Sequence, residues 1–255
     1  METHALPALV PLTFLVAFVY SSVGHGGASG YLALLSFYAL PHPFMAASAL
    51  CLNLLVSGLS FYNYKKAGHF SWALTRPFLL LSIPAAFLGG LLKIPKVYYA
   101  LLLSAVLIFA AGRLIFDAWL EKKEGDVLRP VSFKLSWILG GLIGLISGIV
   151  GVGGGIFLSP LMLFFQWATP RQTAATSAAF IFANSFAGLL GRTFQNSFEI
   201  QITVPALALV SSAFLGGLLG SRLGANHFTN PLLKQILSIV LLIAAFKLLK
   251  TYFLS

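Results

Sequence analysis

Fixed charge is what this sequence has least of. Only 9% of its 255 residues are Asp, Glu, Lys or Arg, against roughly 25% in an ordinary soluble domain. No side chain between Glu2 and Lys65 carries a fixed charge at all, so that stretch offers a water-soluble fold almost nothing to put on its surface. There is one cysteine, Cys51, which excludes an internal disulfide framework and thiolate metal spacing and leaves the redox compartment unencoded. The start, Met1 to His4, lacks the basic residues of a secretory leader and the apolar run continues without a small-residue cleavage site, so the first segment is expected to stay in the mature protein. Paired carboxylates, a nucleophile beside a base and a metal cluster are all missing from the apolar segments. Enzyme chemistry, a cofactor and a metal are therefore not expected.

What is there is apolar: 58% of the residues are hydrophobic. Lipid is the solvent that fits, and at roughly 20 apolar residues per crossing the chain holds about eight segments. They fall near 6–40, 43–64, 72–92, 97–119, 135–165, 173–191, 200–221 and 231–253, the first and fifth interrupted. The expected fold is an all-α polytopic membrane protein, multi-pass in a cell inner membrane. The net charge of +10 comes from sixteen Lys and Arg scattered over short loops and helix ends, with no basic face of the kind that binds nucleic acid. Lys65, Lys66 and Arg76 flank one loop, and Arg113, Lys122, Lys123, Arg129 and Lys134 surround the linker 120–134. The positive-inside rule places both in the cytoplasm.

The chain repeats itself. Ala86-Phe-Leu-Gly-Gly-Leu-Leu92 recurs unchanged from Ala213 to Leu219, an offset of 213 − 86 = 127. The same offset lays Gly24-His25-Gly26-Gly27 on Gly151-Val152-Gly153-Gly154, and near 128 Ala46-Ala47-Ser48 meets Ala174-Ala175-Thr176. Three collinear matches point to duplication: a first membrane repeat 1–119, a charged cytoplasmic linker 120–134 and a second membrane repeat 135–255, each of about four hydrophobic segments. Charge does not decide whether the repeats are parallel or inverted, since flipping the second exchanges Arg171, Arg222 and Lys234 for Arg192, Lys247 and Lys250. Transporter precedent favours inversion.

Residues 6–40 would make a helix of about 52 Å at 1.5 Å per residue, far longer than a ~30 Å hydrocarbon core, so each first segment must break. Gly24 to Gly30 mark one break and Gly151, Gly153, Gly154 and Gly155 the other, because consecutive glycines weaken helix. Gly140, Gly144 and Gly148, spaced by four, read instead as close helix packing. Unwound backbone survives at membrane depth only inside protein or along a wet cavity, and the half-helix that follows opens with free N–H groups and a positive dipole end. Both loops are therefore candidate anion sites. His25 is the one ionisable group in them, either a donor or proton relay or a neutral histidine held by a freed carbonyl. Ser29 lies in the first loop. Ser48, Asn53 and Ser57, with Thr176, Ser177, Asn184 and Ser185, put hydroxyls and amides on the helices that follow, although such groups often bond backbone instead. Arg171 and Arg192 bracket the sixth segment, as membrane anchors or as anion attractors at a cavity mouth. Glu199 and Asp117 read as interfacial.

The glycine run Gly151 to Gly155 followed by Pro160, the stretch Thr173-Ala-Ala-Thr-Ser177 and their first-half echoes resemble the TauE/SafE sulfite-exporter family over nearly the whole chain. The resemblance implies a transporter of sulfite, sulfonates or related sulfur anions. An anion channel, or a carrier of another small organic or inorganic anion, is the alternative. The expected partners are a small anionic substrate and the lipid bilayer, with homo-oligomerisation left open. His25 stands where the second loop has Val152, so the two sites need not be equivalent.

Overall fold

The computed structural model describes residues 6–36, 42–92, 128–194 and 204–229, with isolated positions from 232 to 246. The expected segment 97–119, most of the linker and most of the final segment lie outside the described residues. Those described form eight helices and no strand: α1 (Leu6–Ser22), α2 (Ala28–Ser36), α3 (His42–Lys66), α4 (Trp72–Leu91), α5 (Phe133–Val150), α6 (Gly155–Phe164), α7 (Pro170–Thr193) and α8 (Val204–Asn226). Three stretches, Trp72–Leu91, Pro170–Thr193 and Ala206–Asn226, are long and apolar enough to cross a membrane. Leu80, Leu88, Ile138, Leu142 and Leu215 project outward from α4, α5 and α8, as lipid-facing side chains do.

Both interrupted stretches break where glycine clusters. The first helix stops at Ser22 and α2 starts at Ala28; α5 stops at Val150, with Gly151 left-handed at its end, and α6 starts at Gly155. At 1.5 Å per residue, α2 and α6, of nine and ten residues, are about 13–15 Å long, half of a ~30 Å core.

Glycine stripes set the helix directions. Added Cβ atoms at Gly140, Gly144 and Gly148 of α5 would meet the carbonyls of Phe78, Ser82 and Ala86 of α4 in that order, so α4 and α5 run parallel. Gly216, Gly220 and Gly224 of α8 meet the carbonyls of Phe14, Phe18 and Ser22, so α1 and α8 also run parallel. This is small-residue packing of backbone on backbone, the role the spacing of Gly140, Gly144 and Gly148 indicates. Val56 touches Gly217, and Asn63 donates to Ser221 Oγ at 2.7 Å, which makes α3 parallel to α8. Asn53 bonds Ser185 while Tyr64 packs on Ala174, so α3 and α7 are antiparallel.

The half-helices turn back. Gly30 abuts Val16 and Tyr20, and Leu35 packs on Leu9, so α2 descends beside α1 toward the end from which α1 came. Likewise Gly155 meets Ile181 and Ser159 meets Ser177, which sets α6 antiparallel to α7. The Arg129 N–H then donates to the Gln166 carbonyl, closing α6 back onto the start of α5. Each interrupted stretch therefore enters and leaves at one end of the bundle. In consequence α1, α3 and α8 point one way, and α4, α5 and α7 the other. Leu92 and Phe133 end up at opposite ends of the bundle. Lys65, Lys66, Arg76, Arg129, Lys134, Arg171 and Arg222 all fall at the same end of the bundle.

Candidate functional site

The two breaks converge on one side chain. A Cβ at Gly26 in the first loop and another at Gly153 in the second would both run into Asn53, which lies near the middle of α3 and is buried. The Asn53 amide is used at both ends: Oδ1 accepts from the Ala28 N–H at 3.1 Å, and Nδ2 donates to Ser185 Oγ of α7 at 2.8 Å. It thus ties the first turn of α2 to the helix that flanks the second break.

Left-handed backbone makes both turns. Gly24 and Gly151 stand at φ +77° and +79°, and Gly27 and Gly154 at +91° and +77°. Both breaks are crowded here: a Cβ on Gly24 would lie 2.1 Å from the Ala174 carbonyl oxygen, and one on Gly154 would lie 2.9 Å from Ile143 Cγ2, 2.9 Å from Phe180 Cε1 and 3.2 Å from Ser147 Cβ. Beyond it, Phe157 and Leu158 direct their N–H groups to the Gly154 carbonyl. Gly155 and Ile156 are left without an intrahelical acceptor, at the positive end of the α6 dipole.

His25 is 2% exposed and reaches across the bundle. Its Nδ1 lies 3.1 Å from the Val23 carbonyl and its Nε2 3.4 Å from Ser159 Oγ, which lies 2.7 Å from Ser177 Oγ. With Nδ1 protonated toward the carbonyl, Nε2 accepts from Ser159. A polar chain then joins the first loop, α6 and α7.

Other expected residues are dispersed. Ser29 pairs with Tyr20 Oη at 3.0 Å, Thr176 pairs with Thr75 at 3.2 Å, and Ser57 bonds its own backbone at Leu54. Ser48 is half-buried on α3 and joins none of these contacts. Asn184 is buried with both amide atoms unpartnered. Arg192 donates to the Gly148 and Ile149 carbonyls at 3.3 and 2.8 Å, and Arg171 to the Phe228 carbonyl at 2.8 Å. Both arginines hold helix ends rather than standing free as loop anchors.

Sequence reading missed Ser159, Thr75, Ser147 and Tyr64. Ser159 sits one turn into α6, findable by stepping four residues on from Gly155. Tyr64 stands at the offset of the sequence matches from Arg192. It donates to the Ser22 carbonyl at 2.5 Å, just as Arg192 donates to Ile149, and 192 − 64 = 128 while 149 − 22 = 127.

Asn53→Ala is expected to lower the melting temperature in detergent, because it leaves the buried Ala28 N–H and the Ser185 hydroxyl without partners, at about 1–3 kcal/mol each. In a double-mutant cycle with Ser185→Ala the coupling should be about 0.5–3 kcal/mol. Strictly additive losses would show that the Asn53–Ser185 bond contributes nothing.

Discontinuous helices meeting inside a polytopic bundle of apolar helices define a class, that of multi-pass helical membrane transporters. The profile of the family described as sulfite exporter TauE/SafE matches residues 9–248, and the chain belongs to that family. It is 34% identical to "Probable membrane transporter protein y4hK" of Sinorhizobium fredii, over 98% of this chain and all of that one. It is 24% identical to "Probable membrane transporter protein MJ0441" of Methanocaldococcus jannaschii, over 92% of this chain and 93% of that one. No solved structure matches.

Proposed function

We propose that this protein is a secondary transporter that carries a small sulfur-containing anion, sulfite or a sulfonate, across the bacterial inner membrane. The observation that carries this reading is the meeting of the two glycine breaks at Asn53. The N-termini of α2 and α6 open in the middle of the bundle, and paired half-helix N-termini at mid-depth attract anionic groups in secondary transporters. The sulfur anion comes from the family description. The anion sits between the Gly24–Ser29 and Gly151–Gly155 loops.

Two homologous halves, related by inversion, form the scaffold. Exchanging α1 with α5, α2 with α6, α3 with α7 and α4 with α8 maps α4 on α5 to α8 on α1, and α4 on α7 to α8 on α3; each of these pairs is in contact. Partners in the exchange point in opposite directions, and the Tyr64 and Arg192 caps fall on equivalent positions. All of this supports the duplication and its inverted form. The end bearing Lys65, Lys66, Arg76, Arg129, Lys134, Arg171 and Arg222 is cytoplasmic under the positive-inside rule.

The test is a binding screen of sulfite, thiosulfate, sulfate and sulfonates against purified protein, read as thermal stabilisation. A ligand specific to the native state at a hundred times its Kd stabilises by about 2.7 kcal/mol. A saturable shift with sulfite or a sulfonate is expected. Indifference to all four would overturn the assignment.

A further inference from the structure

We propose that Ser147 and Asn184 form the side-chain half of a single anion site in front of the α6 N-terminus, shaped for an oxyanion that retains one proton. This rests on the transporter reading and names the ligand's protonation state and its contacts.

Three polar atoms at this place lack a hydrogen-bond partner: Ser147 Oγ, Asn184 Nδ2 and Asn184 Oδ1. The two residues are 2% and 1% exposed. Buried polar atoms are nearly always paired, and an orphaned amide calls for an explanation. Exchanging the amide oxygen and nitrogen leaves the observation intact, because neither has a partner.

Their placement follows from the helix directions. Ile143 of α5 and Phe180 of α7 both touch the position a Cβ would take on Gly154. Ser147 and Asn184 lie four residues further along these parallel helices, hence one turn away on the same faces. Because α6 runs antiparallel to α5, its first-turn N–H groups are directed toward that turn. The first-turn N–H groups of α6, which have no intrahelical acceptor, and the two orphaned side chains therefore share one place.

The chemistry selects the ligand. A hydroxyl and an NH2 group donate, but the amide oxygen only accepts. A fully deprotonated anion would satisfy the donors and set its lone pairs against Oδ1. An oxyanion with one O–H, such as hydrogen sulfite, offers acceptor oxygens to the donors and a proton to Oδ1.

The first break has no such constellation. By the repeat offsets, 147 − 127 = 20 and 184 − 128 = 56, so the counterparts are Tyr20 and Val56. Tyr20 already bonds Ser29, Val56 is apolar, and the Ala28 N–H is taken by Asn53. One anion binds per chain.

The titratable and charged groups on the elements around the two breaks are His25, which reaches Ser159 of α6, Arg192 of α7, which donates to the Gly148 and Ile149 carbonyls, and Tyr20 of α1 and Tyr31 of α2, which lie at the first break. Arg76 of α4 and Lys134 of α5 are exposed near helix ends. Their influence cancels when two anions are compared at one pH. The experiment titrates the purified full chain with sulfite and with methanesulfonate, which is singly charged but has no O–H, on both sides of neutrality. Sulfite should stabilise the wild type saturably at one equivalent, more strongly on the acid side, and methanesulfonate should bind at least about tenfold more weakly there. Ser147→Ala and Asn184→Ala should each weaken sulfite binding about tenfold or more. Neither should lower the ligand-free melting temperature, since removing an unpaired polar group breaks no bond. A lowered melting temperature with unchanged sulfite affinity would make these residues structural and overturn the site. Equal affinity for methanesulfonate would overturn the proton requirement. If the wild type binds neither sulfite nor any anion of the wider screen, the transporter reading itself falls.

Discussion

Gly154→Leu is expected to abolish anion flux in proteoliposomes while the protein still expresses and inserts. The backbone at Gly154 is left-handed, at φ +77°, a conformation that costs a residue with a side chain roughly 1–2 kcal/mol. The larger effect is steric. Ile143 and Phe180 already lie 2.9 Å from where the first side-chain carbon would go, so a branched side chain has to push these side chains, or α6 itself, out of place. A side chain there also takes up space beside the proposed anion. The structure shows it colliding with α5 and α7 first, and the collision moves the N–H groups that the anion needs. Insertion should survive, because the apolar content of the flanking segments is unchanged. Gly68→Ala is the control. Gly68 has the same handedness, φ +81°, but open space around it, so it bears the conformational strain alone and should keep flux near wild type. Normal flux in Gly154→Leu would remove the second break from the transport path.

Both breaks were legible because glycine clusters interrupt apolar runs too long for one crossing, and the structure ends α1 at Ser22 and α5 at Val150, beside those clusters. The packing stripe at Gly140, Gly144 and Gly148 was legible for a similar reason: a spacing of four lies along one face of any helix. Orientation was not legible. Whether a half-helix continues across the bilayer or turns back depends on which partner it packs against, and that is set by contacts such as Ser159 with Ser177, distant in sequence and carried by common residues. The same holds for Asn53. Its importance comes from Ser185, 132 positions away, and from two glycine loops that happen to close on it. Small hydroxyl residues were the least readable, since Ser57 bonding its own helix and Ser177 bonding across to α6 look alike in sequence. Arg192 misleads in the opposite sense: at a helix end it reads as an interfacial anchor, yet it folds inward to take the carbonyls that the second break frees.

His25→Gln is expected to keep anion binding and lose the dependence of flux on an imposed pH gradient. Imidazole is the side chain whose ordinary titration range lies near neutrality, and His25 is the ionisable group that the breaks bring to the polar chain running through Ser159 to Ser177. Glutamine reproduces a donor and an acceptor on one planar group, so it can hold the Val23 carbonyl and the Ser159 hydroxyl, but it cannot take up and release a proton. A relay therefore fails while the local architecture stands. His25→Ala removes both contacts, leaves the freed Val23 carbonyl unsatisfied inside the bundle, and should reduce stability and flux together. The measurement is sulfite flux in proteoliposomes at several imposed pH gradients, with sulfite binding followed in parallel by thermal shift. Wild-type flux should rise with the gradient, the glutamine variant should give the same slow flux at every gradient, and its sulfite affinity should stay within a few-fold of wild type. Unchanged gradient-dependent flux in the glutamine variant would reduce His25 to a structural tie between the first loop and α6, leaving the loop amides and Asn184 to bind an anion whose transport is not coupled through this histidine.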